Sequence, residues 1–367
     1  MAAEVIIPYA ASGNGWWTGL AVTNIDSQGT GTVTVDFFSA NGAALGTKTI
    51  GSISPGTFYV NTADGLFGTG LPSRFWMIVS HGGDARMAVT VFFGNAADGG
   101  FSTTVYRSDR ESEGVPITTV PFIIGRSGHY YLTGNLQSTS TTGAAITCTV
   151  PDVTIDLKGF SLIGPGNSSG DNDGITARKN TIIKNGIVRS FGRYGIHGSK
   201  NDSSGYGRIQ VLDVAARNCG KYGIRLEGVA NVARNCQSME NGDGGIFVGP
   251  GSRVEGNVVS GNVTYGIFAD AGSIVQSNIS FGNMTGYVFN VGCILSGNTA
   301  YKNQNYGFMS LLGRSTLVGN SAYENGQYGI YSSNSLVDQN SALENGASGG
   351  GDNIRAGSST MGVNHAP

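Results

Sequence analysis

Apolar and polar positions alternate along this chain in short bursts, and the bursts never lengthen into a helical stripe. In Thr32-Val33-Thr34-Val35-Asp36-Phe37, Val33, Val35 and Phe37 face one way and Thr32, Thr34 and Asp36 the other, the period-two pattern of a half-buried strand. Residues 74–79 and 87–93 predict further strands. Six or seven such runs in about 100 residues predict a β-sandwich over residues 1–108. No amphipathic helix of three turns can be drawn anywhere.

Beyond residue 117 the pattern becomes a repeat. Asn257, Asn278, Asn298, Asn320 and Asn340 recur at steps of 21, 20, 22 and 20. A second asparagine follows each by five, at Asn262, Asn283, Asn303, Asn325 and Asn345. Tyr265-Gly266-Ile267, Tyr306-Gly307-Phe308 and Tyr328-Gly329-Ile330 come next in their coils, with the permuted Gly286-Tyr287-Val288 among them. A period of 20–22 residues without helix predicts a β-solenoid of about three short strands per coil and about ten coils. Asparagine tolerates left-handed backbone, so these residues are expected at the bends, with their amides bonding from coil to coil as a ladder. Val254, Val275, Leu295, Leu317 and Val337 are expected to stack inside, as are Ile246, Ile267, Val288, Phe308 and Ile330.

Composition agrees with an all-β chain. Of 367 residues 60 are Gly, 39% are hydrophobic and 13% charged, too apolar for disorder and without a collagen period. The four cysteines (148, 219, 236 and 293) have no metal-ligand spacing and are expected as small buried thiols. No run of about 18 apolar residues exists, so no membrane span is expected. The start, Met-Ala-Ala-Glu-Val, has no signal-peptide pattern, so the protein is either cytoplasmic or exported by a signal absent from these residues.

Two resemblances bear on this. The opening Ile7-Pro8-Tyr9-Ala10-Ala11-Ser12-Gly13-Asn14-Gly15-Trp16-Trp17-Thr18, with Val22-Thr23-Asn24, resembles small sandwich domains on secreted bacterial proteins, which implies an extracellular or cell-surface location. Ser108-Asp109-Arg110-Glu111-Ser112-Glu113-Gly114-Val115-Pro116 reads as a linker, taken as residues 109–116, with the repeat domain over 117–367. Gly128-His129-Tyr130-Tyr131-Leu132-Thr133-Gly134-Asn135-Leu136, then Val153-Thr154-Ile155-Asp156-Leu157-Lys158-Gly159-Phe160, is similar to the opening of right-handed parallel β-helices of the pectin-lyase-like superfamily. That resemblance covers about two thirds of the chain and implies a fold rather than a reaction, since the superfamily holds lyases, hydrolases, epimerases, phage tailspikes and non-enzymes.

Candidate chemistry is sought where the repeat carries charge. Asn185/Ser190/Tyr194 and Asp213/Asn218/Tyr222 fit the frame, with residues 198–207 as an inserted loop. The register then sets Arg189 above Arg217, Arg193 above Lys221, and His197 above Arg225. Residues 178–234 hold eleven Lys or Arg against three acids, a local charge of +8 in a chain of −2. Such a basic stripe is either a solvated face or a track for a polyanion. No nucleic-acid module is present, so an acidic polysaccharide is the expected partner. For β-elimination on a polyuronate, Arg193 and Arg225 would clamp carboxylates, with Arg189 and Arg217 as further substrate contacts. Lys221 or His197 would be the base, and Tyr194 or Tyr222 the acid. The tyrosines also have a plain structural reading, because the repeat carries them again at 265, 306 and 328.

Asp171-Asn172-Asp173-Gly174-Ile175 resembles a stretch of β-helical polygalacturonases, although Gly174-Ile175 also falls in the same repeat row as Gly195-Ile196. The family's paired aspartates, Gly-His-Gly and Arg-Ile-Lys are missing, leaving Asp173 and Asp202 as guesses for an inverting pair. Asp171 and Asp173 could also hold Ca²⁺, the one cofactor considered; no other metal site is expected. Four His and seven Met form no copper cluster, and the Gly-rich turns lack the helix that phosphate binding requires. Phe247, Phe268, Phe289, Met309 and Tyr331 are expected to point outward, with Phe281, Tyr301 and Tyr323 as a second row. These stripes suggest sugar stacking, domain docking or a homo-oligomer interface. The tryptophans (16, 17 and 76) are expected in the sandwich core. The resulting expectation is a secreted protein that binds and cleaves acidic polysaccharide. The alternative is a non-catalytic surface or assembly protein that oligomerises through its aromatic stripes.

Overall fold

The computed structural model describes residues 3–25, 31–68, 70–82, 87–97, 101–107, 114–199, 207–346 and 352–366. Most of the expected linker (109–113) and two charged residues of the inserted loop, Lys200 and Asp202, lie outside the described residues. The chain forms two compact units, one of residues 1–119 with 129–131 and the other of residues 120–128 with 132–367. Among the described residues no helix is long and apolar enough to cross a membrane.

The first unit contains two four-stranded antiparallel sheets. Ala3–Ala11, Arg74–His81, Gly31–Ser39 and Ala44–Ile53 form one, and Phe58–Thr62, Trp16–Asn24, Met87–Asn95 and Phe101–Arg107 the other. Their inner faces share one core that includes Val33, Val35 and Phe37 from the first sheet and Leu20, Val22, Val89 and Val91 from the second. The alternation in 32–37 thus has its expected sense. Of the tryptophans, Trp76 is buried and stacked on Phe38, whereas Trp16 remains half exposed.

The second unit winds into about ten coils. One parallel sheet, the first face, stacks eleven strands from Phe122–Ile124 to Ile354–Gly357. Each later coil then adds a strand to a second face, such as Arg253–Glu255, and one to a third, such as Val258–Ser260. Ile246, Val254 and Val259 point inward from the three faces and are fully buried, each contributing about 1.5–3 kcal/mol by leaving water.

The corners explain the asparagines, with one correction. The left-handed residue is the one before each asparagine: Gly256, Ser277, Gly297, Gly319 and Gln339 have φ of 66°, 56°, 62°, 65° and 55°. The asparagine that follows turns its side chain inward. Asn257 donates from its backbone N and from Nδ2 to Asn278 Oδ1, at 2.9 and 2.8 Å, and Asn278 does the same to Asn298. Nδ2 also reaches back to a main-chain carbonyl, Ala233 O at 2.9 Å for Asn257, so the buried amide is fully bonded. A second amide column runs from Asn241 through Asn262, Asn283, Asn303 and Asn325 to Asn345. Serines line the third corner, where Ser252 N donates to Ser273 Oγ at 3.2 Å.

The earlier coils use the same corners differently. Asn185, Ser190, Asp213 and Asn218 are themselves the left-handed residues, at φ 59°, 63°, 55° and 53°. The frame proposed for them is therefore one residue out, and Gly186, Phe191, Val214 and Cys219 hold the inward positions. Cys219 joins the ladder through its backbone, with N donating to Asn241 Oδ1 at 3.0 Å. All four cysteines are buried and free, and burial pushes the thiols of Cys148, Cys219 and Cys236 up to about 12.

A second shift of one residue occurs at Gly286-Tyr287-Val288. Tyr287, not Val288, stacks between Ile267 and Phe308, and its hydroxyl donates to the carbonyls of Asn278 and Thr299. Phe289 consequently points inward and is fully buried, against the expectation that it belongs to an outer stripe.

Candidate functional site

On the outside of the first face two columns run side by side. One carries His197, Arg225, Phe247 and Phe268 in successive coils, in parallel register. The other, three residues earlier in each coil, carries Asp173, Tyr194, Tyr222, Gly244 and Tyr265. Glycines follow this column and keep the coils close: Gly174 N donates to Tyr194 O at 2.9 Å and Gly195 N to Tyr222 O at 3.0 Å.

Asp173 organises one end. Its carboxylate is buried and accepts from Arg193 Nε at 2.8 Å and Arg193 Nη2 at 2.7 Å, a fork-to-fork pair. His197 Nδ1 lies 3.4 Å from Asp173 Oδ2, and Tyr194 N donates to Oδ1 at 3.2 Å. Burial alone would raise this carboxyl. The hydrogen bonds and charges of Arg193 and His197 outweigh it and bring the group below the usual carboxylate range. Asp171, exposed, takes Arg193 Nη1 at 3.4 Å. Arg193 therefore sits between the two carboxylates considered for Ca²⁺. Among the described residues no cluster of three or more metal-ligating side chains occurs.

His197 Nε2 is buried and has no hydrogen-bond partner, and the same is true of Thr176 Oγ1, one strand back in the same column. The Tyr194 ring lies 4.8 Å from the imidazole, centroid to centroid. With Nδ1 toward a carboxylate and Nε2 unpartnered, the arrangement favours a tautomer whose Nε2 can accept a proton.

Arg225 is held differently. Nε donates to Glu227 Oε1 at 2.8 Å, and the guanidinium carbon lies 5.6, 4.9 and 4.7 Å from the ring centroids of Tyr194, Tyr222 and Phe247. Desolvation is the largest influence and lowers its pKa, but the Glu227 hydrogen bond together with the interactions of Tyr194, Glu227 and Tyr222 outweighs it, and the net direction is upward. Tyr222 shares a very short hydroxyl–hydroxyl contact with Tyr265, across the coil that contributes Gly244. Burial first, and this bond second, push the Tyr222 phenol well above its ordinary value. A methyl group at Gly244 would lie 2.6 Å from Tyr222 Cε1 and 3.0 Å from Tyr265 Cε2, so only glycine leaves the two rings room to meet.

Arg193, Tyr194, His197, Tyr222 and Arg225 thus come together. Lys221 is exposed at the rim, its backbone bonded to Arg193 O at 2.8 Å, and its ammonium forms no ion pair among the described residues. Arg189 and Arg217 stack on each other as predicted, but on strands of the neighbouring sheet. The basic segment is accordingly dispersed around the coils. It is also partly neutralised by acids that precede it in sequence: Asp171 and Asp173 face Arg193, and Asp156 faces Lys184 at 3.5 Å. Counting charges within residues 178–234 hides this, because one coil of winding brings acids from outside the window opposite its cations. The shared row of Asp173-Gly174-Ile175 and Tyr194-Gly195-Ile196 is the signal from which the Asp173–Arg193 pair could have been read. Glu227 and Tyr265 carry no signal in the sequence that would assign them a role.

No protein-family model matches the chain, and no curated protein matches it. Among solved structures, the A-module of the Azotobacter vinelandii mannuronan C-5 epimerase AlgE4 aligns at 17% identity and TM-score 0.41, covering 61% of this chain and 71% of that one. The periplasmic alginate epimerase AlgG aligns at 12% and 0.40, covering 66% and 70%. A tailspike protein of E. coli bacteriophage HK620, in complex with a pentasaccharide, aligns at 14% and 0.43, covering 61% of this chain and 50% of its own. The fold described above rests on the strand pairings, independently of these likenesses.

Proposed function

We propose that the first face binds an acidic polysaccharide, outside the cell or at its surface, and that His197 is the base that takes the C5 proton of a bound uronate. The observation that carries this reading is the contact of His197 Nδ1 with Asp173 Oδ2 at 3.4 Å, with Nε2 left unpartnered beside Tyr194. Arg225 engages Glu227 through Nε, which leaves its terminal amines for the uronate carboxylate. Abstraction at C5 is then followed by breakage of the C4–O bond, with the Tyr194 phenol giving its proton to the departing oxygen. Nε2 is buried in the free protein, so substrate binding has to displace what covers it. Lys221 serves this scheme better as a rim contact than as a base, since no carboxylate orients it. Tyr222 serves less well than Tyr194, because its hydroxyl is engaged by Tyr265. Arg193 acts by holding Asp173 in place, and is not free to clamp substrate.

The test is a panel of polyuronates followed for the ultraviolet absorbance of an unsaturated product. His197→Gln is expected to lower the rate by about 10²–10⁴ and to leave binding intact. Binding without product across the panel would sink the catalytic step, and absence of binding would sink the whole reading.

A specific observation favours assembly as a second reading. The rings of Phe247 and Phe268 stack on each other at 4.8 Å, and those of Phe281 and Tyr301 at 4.7 Å, so one face of each ring is already covered by its neighbour. Ile279, Ile294 and Leu336, on the other two faces, are 40%, 46% and 40% exposed. A monomer by light scattering at high concentration counts against this alternative.

A further inference from the structure

Arg193, Arg225 and Arg355 stand on the outside of the first face or beside it, and they are not alike. Arg193 is engaged by Asp173 and Asp171, and Arg225 by Glu227. Arg355, in the last strand of the sheet, is exposed, and among the described residues it forms no ion pair. One of its amines, Nη1, donates to Tyr328 Oη at 2.8 Å, and the guanidinium carbon lies 5.7 Å from the Tyr328 ring centroid. A guanidinium has five N–H donors, so most of this one remains available. Asp352, the nearby carboxylate, acts on it only at longer range.

The aromatic residues around Arg355 differ from those around Arg225. Tyr306 stacks on Tyr328 at 5.7 Å and 12°, and Tyr331 packs edgewise on Tyr306 at 5.7 Å. All three are partly exposed phenols, whereas Phe247 and Phe268, in the middle of the face, carry no hydroxyl with which to meet a sugar. A planar, unneutralised cation set among phenols suits a carboxylated sugar, because a guanidinium pairs two oxygens at once and tyrosine hydroxyls both donate and accept.

We propose that Tyr306, Tyr328, Tyr331 and Arg355 form a second saccharide-binding site that holds a carboxylated sugar of the same chain that lies over Arg225. Arg225 and Arg355 belong to one outward column, separated by six strand spacings, roughly 29 Å. A ligand longer than that gap engages both ends, and the second contact is intramolecular, so affinity rises steeply with chain length. The proposal rests on the acidic-polysaccharide reading above for the nature of the ligand, and on none of its catalytic steps.

The experiment is isothermal titration of the full chain with oligouronates shorter and longer than the gap. The wild type is expected to bind long oligomers on the order of tenfold or more tighter than short ones. Arg355→Ala combined with Tyr331→Ala is expected to remove that gain, with the unfolding midpoint as a control for folding. Arg355→Lys retains charge without the fork and is expected to fall between. His197→Gln leaves the length dependence unchanged. If short oligomers bind but length makes no difference, or if the double variant retains the gain, the second site is wrong while the first stands. If no polyuronate binds at all, both readings fail together. A dimer that dissociates in the double variant, with the length dependence unaltered, would reassign these residues to a contact between copies and overturn the proposal.

Discussion

The coils around residues 173–227 and those around 246–345 share one winding but close their corners by different means. In the later coils a left-handed residue is followed by an inward asparagine or serine at every corner except that of Cys293, and the amides bond from coil to coil. In the earlier coils the same inward positions hold Phe191, Ile209, Val214 and Cys219, all buried. Strands Ile182–Arg189 and Gln210–Arg217 run eight residues through a corner where later coils have two strands of three. Coil-crossing ion pairs there have buried carboxylates, Asp173–Arg193 and Asp156–Lys184, whereas the later Lys302–Glu324 pair is more exposed. Where the amide ladder runs, coil-to-coil side-chain bonds are made inside the bore, and in the earlier coils charged side chains on the outside make part of them.

The largest break in this contrast is expected from Asn278→Leu. It removes the acceptor of Asn257 N and Nδ2 and leaves buried donors unpaired, at about 1–3 kcal/mol each. Chemical denaturation should register a loss of about 4 kcal/mol. Cys219→Ala, at the inward position of the other asparagine corner in an early coil, should cost less than half as much; equal losses would erase the distinction.

Asp173→Asn comes next. Breaking a buried pair costs about 3–5 kcal/mol, reduced to about 2–3 here because the Arg193 side chain is 28% exposed. The Asp173 carboxyl is lowered in the folded protein, so its contribution is complete above the unfolded value near 4 and is lost as pH falls through the folded value. The stability gap between wild type and variant should therefore close as pH falls below about 4. A gap independent of pH would remove the ion pair from the explanation.

Gly244→Ala tests the surface of the early coils without touching a charge. The added methyl would meet the Tyr222 and Tyr265 rings, and about 1–2 kcal/mol of overpacking is expected, with a change in near-ultraviolet circular dichroism from the separated tyrosines. Restored stability in Gly244→Ala with Tyr265→Ala would locate the clash. The smallest effect belongs to Lys221→Ala. Stability should stay within about 0.5 kcal/mol, while binding of an acidic polysaccharide weakens at low salt and converges with wild type at high salt.

Much of this organisation is legible in the sequence because it is periodic. Spacings of 20–22 residues announce coils, and a repeated asparagine announces a buried amide column, since one residue type at one position meets the same neighbours in every coil. Stacking follows as well, as with Arg189 on Arg217 and His197 on Arg225. What periodicity cannot carry is a shift of one residue. Tyr287 enters the interior because the turn before it is one residue shorter than its neighbours, and the corner asparagine stands one place later than its backbone role suggested. Nor can it carry pairings that occur once. The sequence by itself determined a stack of parallel coils with polar corners and an apolar bore, because those follow from local rules applied again and again. Tertiary structure alone decided that Arg193 faces Asp173, and that Arg355 lies beside Tyr328 without an ion pair among the described residues. Those outcomes depend on side-chain reach across neighbouring coils, and no repeat encodes it.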